Sequence, residues 1–215
     1  MSSIIKHHSL SACTIRAAEK HLSQSCEVMS RLIVVHGSCS IADREFLPFQ
    51  TLATSIISQQ LSAKAANTIE QRVLSIVSSF TPASFLSVPV DVLRGTGMSS
   101  AKARHIIELA QRVCDGRLNF DALLKQDDED VITALVDLPG IGRWTAEMFL
   151  IFGLKRPDIL ALGDAGLKRA ARLLYGEDAT LESLGQAWMP YCSVASWYLW
   201  RHLDDNFAGE QLMKR

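Results

Sequence analysis

Apolar residues, with an occasional cysteine or histidine, recur along this chain at steps of three and four. Ile15, Ala18, Leu22, Cys26, Met29, Ile33 and His36 form one series. Ala65, Ala66, Ile69, Val73, Ile76, Val77 and Phe80 form a second, and Ala103, Ile106, Ile107, Ala110 and Val113 a third. A period of 3.6 puts each series on one stripe of one helix. Nowhere does a two-residue alternation persist, so the expected fold is all-α. Helix starts are signalled as well. Ser62 can cap a helix beginning near Ala63, and Ser99 or Ser100 the helix after the turn at Gly95–Gly97. "TPASF" (81–85) and "SVPVD" (87–91) read as short connections with helix starts at proline. The acids of "KQDDEDVITALVDL" favour a helix N-terminus. The first ten residues read as a loose tail.

The sharpest interruption is "DLPGIGRWTAEM" (137–148). A helix is expected to end near Asp137, because Pro139 lacks an N–H and disfavours helical geometry in Leu138. A second helix, "RWTAEMFLIFGL", restarts at once. The glycines at 140 and 142 allow positive φ and close backbone approach. Such a hairpin leaves N–H groups unpaired at the start of the second helix, an arrangement suited to a phosphate. Alone, the segment reads equally as an ordinary helix–helix turn. Trp144, Ala146, Met148, Phe149, Leu150, Ile151 and Phe152 make the second helix apolar around most of its circumference, so it is expected to be buried. Its tip is expected to stay open and polar, with Arg143 and Thr145.

Composition adds limits. The chain has 215 residues, 48% of them hydrophobic and 21% charged, which suits a soluble globular protein with a substantial core. A net charge of −1 counts mildly against a nucleic-acid binder. Within 136–175, however, Arg143, Lys155, Arg156, Lys168, Arg169 and Arg172 outnumber Asp137, Glu147, Asp158 and Asp164. The five cysteines (13, 26, 39, 114 and 192) include no CxxC pair. They suggest neither a metal site nor a disulfide framework, and point to a reducing compartment. With no leader-like or membrane-length apolar run, the chain is expected to be intracellular.

"LPGIGRWTAEMFLIFGLKRPDILALGDAGLKRA" (138–170) resembles the helix-hairpin-helix core of the AlkA and yeast MAG type of 3-methyladenine DNA glycosylase, within the HhH-GPD superfamily. "SIISQQLSAKAANTI" (55–69), "TGMSSAKARHI" (96–106) and "WMPYCSVASWYLWR" (188–201) fit the same family in the same order. The resemblance spans about 45–203. It implies an all-α, two-lobed fold with DNA bound in a cleft between the lobes and without the N-terminal β-domain of AlkA. One lobe would comprise 1–45 with 156–215. The other would comprise 46–155, with the hairpin at about 127–154.

The resemblance also implies roles. Pro139, Gly140, Ile141 and Gly142 would grip DNA phosphates, with Arg143 and Thr145 nearby. Gln60 would be the wedge that fills the gap left by a flipped nucleotide, flanked by Gln59, Leu61 and Ser62. Read alone, the two glutamines merely precede a helix cap. Asp164 falls on the catalytic position; read alone, it is equally a cap for the helix at Ala165–Leu174. Asp158 reads as structural and Asp137 as helix-terminal. Trp144, Met148 and Trp200 fall on base-pocket positions, although either tryptophan also reads as core. No cofactor is implied. Family members often hold a monovalent cation, sodium or potassium, on hairpin carbonyls, here those of Val136, Leu138 and Ile141.

Relatives that also nick DNA, such as endonuclease III, carry a Schiff-base lysine where this chain has Trp144, and an iron–sulfur cysteine cluster that this chain lacks. The implied activity is therefore monofunctional excision of alkylated purines. The implied partner is double-stranded DNA with a damaged base or abasic site, bound by a monomer in a nucleus or a bacterial cytoplasm. The chain departs from the pattern at Met148, where AlkA has a tyrosine, and at Leu160, Ala161 and Ala165. A second class therefore stays open: a lesion- or abasic-site-binding homologue with little excision. A helical interaction module unrelated to DNA would require all the matching motifs to be accidental.

Overall fold

The computed structural model describes residues 9–213, apart from the side chains of Ala63 and 206–213. Every regular element among them is helical. No described helix is long and apolar enough to cross a membrane. The chain divides into two compact units, 1–45 with 150–215, and 46–149.

The first unit contains α1 (Ala12–Ser25), α2 (Glu27–His36), α11 (Ala165–Tyr175), α12 (Leu181–Trp188) and α13 (Cys192–Met213). Helix α13 contacts the other four. Its residues Val194, Ala195, Tyr198 and Leu199 are fully buried, and so are Leu22, Leu167 and Trp188 on the helices it contacts. The series 15–36 does not form one helix, as its period suggests. The backbone is extended at Cys26, which ends α1 and precedes α2. The break shifts the register, so Leu32 is buried and Ile33 only half-buried. The loose tail expected over the first ten residues does not extend to Leu10. Residues 1–8 lie outside the described residues, whereas Leu10 is buried and donates its N–H to the Lys155 carbonyl (2.8 Å).

The second unit contains α3 (Pro48–Ser58), α4 (Ala63–Val77), α5 (Pro82–Leu86), α6 (Val90–Gly95), α7 (Ser100–Cys114), α8 (Phe120–Leu123), α9 (Asp128–Val136) and α10 (Arg143–Met148). A π-helical turn, Phe149–Gly153, follows α10. Helix α7 packs on α3, α5 and α6 and presents Ala103, Ile106 and Ala110, three members of its expected stripe. The α4 stripe buries Ala66, Ile69, Val73 and Val77, while Ile76 stays exposed. The side chains of Ser62 and Ser99 cap α4 and α7, accepting the N–H groups of Ala65 and Lys102. Thr81 caps α5, with Pro82 in its first turn.

Candidate nucleic-acid interface

Two loops of the 46–149 unit carry most of the residues expected to touch DNA. The first joins α9 to α10. Leu138 and Ile141 are buried and anchor it, while Pro139, Gly140 and Gly142 are exposed. The Ile141 N–H donates to the Leu138 carbonyl (3.1 Å), closing the turn. Gly140 adopts φ +81°, and a Cβ there would come to 2.2 Å from His105 Nδ1. Glycine is therefore required twice, by the backbone and by the imidazole of α7 lying against it. Gly142 precedes α10 and provides no side-chain cap. The first N–H groups of a helix lack intrahelical acceptors and carry the positive end of its dipole.

The tip differs from its expected open polar form. Thr145 is buried, because the first turn of α10 tucks it beside Gln59, whose Nε2 lies 3.4 Å from its Oγ1. Arg143 is exposed but paired, with Glu129 through Nη1 (3.1 Å) and with Glu147 through Nε (3.1 Å). The Glu129 pair holds the guanidinium above its ordinary pKa and holds the Glu129 carboxyl below its own. Trp144, expected in a mostly buried helix, is 44% exposed because it stands at the solvent end, whereas Met148 is buried.

The second loop joins α3 to α4. Gln59 terminates α3, Gln60 takes a left-handed conformation (φ +57°), and Ser62 begins α4. Gln60, Leu61 and Ser62 are all exposed. Gln59 is turned inward, and its Nε2 donates to the Gly140 carbonyl (2.8 Å). Asp137 takes Arg112 Nη1 on Oδ2 (2.8 Å).

Asp164 and Trp200 belong to the other unit. Asp164 caps α11 and is buried. Its Oδ1 accepts the Leu167 N–H (2.6 Å) and Trp200 Nε1–H (3.1 Å). Gly166 leaves room for this arrangement, because a Cβ there would meet Asp164 Oδ1 at 3.1 Å and Trp200 Cδ1 at 3.5 Å. Asp158 has a structural contact, accepting the Cys192 N–H on Oδ1 (3.2 Å). Sequence reasoning missed His105 and Glu129 as neighbours of the hairpin. His105 lies within a recognised segment, but nothing local ties it to a loop 35 residues on. The Arg143–Glu147 pair, four residues apart, was visible in principle.

Residues 53–187 match the model of a family described as HhH-GPD superfamily base excision DNA repair protein. The chain is 30% identical over 197 residues to the alkylbase DNA glycosidase-like protein mag2 of Schizosaccharomyces pombe, covering 86% of this chain and 92% of that one. It is 29% identical over 201 residues to DNA-3-methyladenine glycosylase 1 of the same yeast, covering 87% of each. Among solved structures, a DNA-3-methyladenine glycosidase from Bacillus halodurans superimposes with a TM-score of 0.72 at 35% identity, covering 90% of this chain and 91% of that one. The 3-methyladenine DNA glycosylase of Schizosaccharomyces pombe in complex with abasic DNA gives a TM-score of 0.72 at 29% identity, covering 86% of this chain and 95% of that one.

Proposed function

Because the chain belongs to the HhH-GPD superfamily of base excision DNA repair proteins, we propose that it is a monofunctional glycosylase acting on alkylated purines in double-stranded DNA. The Asp164 carboxylate carries this reading. It is buried and oriented through Oδ1 by the Leu167 N–H and the Trp200 indole. An alkylated purine is cationic and already a good leaving group. As its N-glycosidic bond breaks, the bonding electrons go to the base and positive charge builds on the deoxyribose. The Asp164 carboxylate stabilises that charge and orients the water that attacks C1′, taking up a proton. The products are free base and an abasic site.

Binding precedes chemistry. The backbone N–H groups of Gly140, Gly142 and the start of α10 hold a phosphate, with Pro139 and Ile141 shaping the turn and Arg143 and Thr145 in supporting positions. Gln60, flanked by Gln59, Leu61 and Ser62, enters the stack as the nucleotide flips out, offsetting an unstacking cost of a few kcal/mol. Its exposed left-handed turn supports that role. The residues proposed to contact the base are Trp144 and Met148 in the 46–149 unit and, separately, Trp200 beside Asp164 in the other. The carbonyls of Val136, Leu138 and Ile141 are neutral oxygen donors of the kind that suits a hard cation, and would hold sodium or potassium. That ion would add positive charge beside the phosphate. The protein acts as a monomer, in a nucleus or a bacterial cytoplasm.

A second reading, recognition of lesions or abasic sites with little excision, is favoured by one feature. Met148 stands where AlkA has a pocket tyrosine, and it offers an electron-poor base no aromatic face. Purified protein incubated with duplexes carrying an alkylpurine, hypoxanthine, ethenoadenine or an abasic site separates the two. Release of an alkylated base supports the glycosylase. Tight binding of the abasic duplex with no base released from any substrate would establish the second reading instead.

A further inference from the structure

From the reading of Gln60 as the residue that enters the DNA stack, we infer that Lys102 positions the wedge turn and that Gln59 couples that turn to the hairpin. Lys102 Nζ donates to the carbonyls of Ile57 (2.8 Å) and Gln59 (2.6 Å), both on the 46–149 unit. These carbonyls lie at the C-terminal end of α3, where a helix has acceptors without intrahelical partners and the negative end of its dipole. An ammonium there satisfies both requirements. The next residue is Gln60, at φ +57°, a conformation that is strained for a non-glycine residue and is held by its surroundings. Fixing the carbonyl of Gln59 fixes the peptide plane that leads into Gln60.

The Gln59 side chain extends the link, donating Nε2–H to the Gly140 carbonyl (2.8 Å). Three residues beyond Lys102, on the same side of α7, His105 lies against Gly140. One helix therefore supports both DNA-facing loops, with a cation under the wedge and an imidazole under the hairpin. Burial of the Lys102 ammonium lowers its pKa. With two of its three N–H donors engaged by the backbone, Lys102 is a positioning residue and not a phosphate contact.

The test measures affinity for a duplex with a tetrahydrofuran abasic analogue and for the undamaged duplex, across a salt series. In Lys102→Met the ratio of the two affinities is expected to fall at least ten-fold. Binding to undamaged DNA and its salt slope should be unchanged. 2-Aminopurine opposite the lesion should lose the fluorescence rise that the wedge produces. Combining Lys102→Met with Gln60→Ala should cost no more than Gln60→Ala alone, which a general loss of stability would not mimic. A wild-type ratio in the folded variant overturns the inference, and so does a salt slope reduced by about one, the signature of a lost phosphate contact. If Lys102→Met does not fold, Lys102→Gln is judged by the same two outcomes. Equal affinity of the wild-type protein for both duplexes would overturn the wedge reading itself, and this inference with it.

Discussion

Asp164 does two things through one oxygen. It caps α11 and accepts the Trp200 indole, both on Oδ1. Asparagine can keep both bonds while losing the charge, so structure and chemistry separate cleanly in Asp164→Asn. The variant should retain stability to within about 1 kcal/mol and most of its DNA affinity. Single-turnover base release should fall by at least roughly 10²-fold. Release at the wild-type rate would assign catalysis to another group. Gly140 offers a contrasting case. Alanine there would cost about 1–2 kcal/mol for positive φ, and more for displacing His105, whose Nδ1 would lie 2.2 Å from the new Cβ. Urea unfolding of Gly140→Ala should show that loss, accompanied by weaker DNA binding. Adding His105→Ala should recover the steric part only.

Between elements, the α9–α10 pair carries an electrostatic restraint. Arg143 is engaged by Glu129 from the first turn of α9 and by Glu147 from its own helix. Both Arg143 and Glu129 are largely exposed, so their pair contributes little stability. It does occupy a cation beside the turn proposed to bind phosphate. Glu129→Gln should therefore leave the unfolding midpoint nearly unchanged, tighten DNA binding, and steepen its salt dependence by up to one unit. Unchanged affinity and slope would show that Arg143 does not reach DNA. The Glu129 carboxyl titrates below its ordinary value. Its contribution is thus present above the usual glutamate range and is lost as the pH falls through the depressed value.

For the molecule as a whole, the absence of a lysine at position 144 predicts that no covalent complex forms with abasic DNA under borohydride. Denaturing electrophoresis of the mixture checks this, and a trapped adduct would contradict monofunctional hydrolysis. The helical class, the caps at Ser62 and Ser99, the hairpin and the family were all legible in the chain. Each depends on neighbours within a few residues: a 3.6-residue period, a serine before an N-terminus, a proline and two glycines in four positions. The division of 15–36 at Cys26 was not legible, because the periodic stripe continues through the single extended residue that separates α1 from α2. Nor was the inward turn of Gln59, the burial of Thr145, the capture of Arg143 by Glu129, or the seating of His105 on Gly140. These contacts join residues far apart in sequence, and side-chain identity does not specify which of several possible partners a polar group will meet. Local chemistry thus marked which residues are candidates for binding DNA. Long-range packing decided which of those candidates remain exposed and which are spent holding the loops in place.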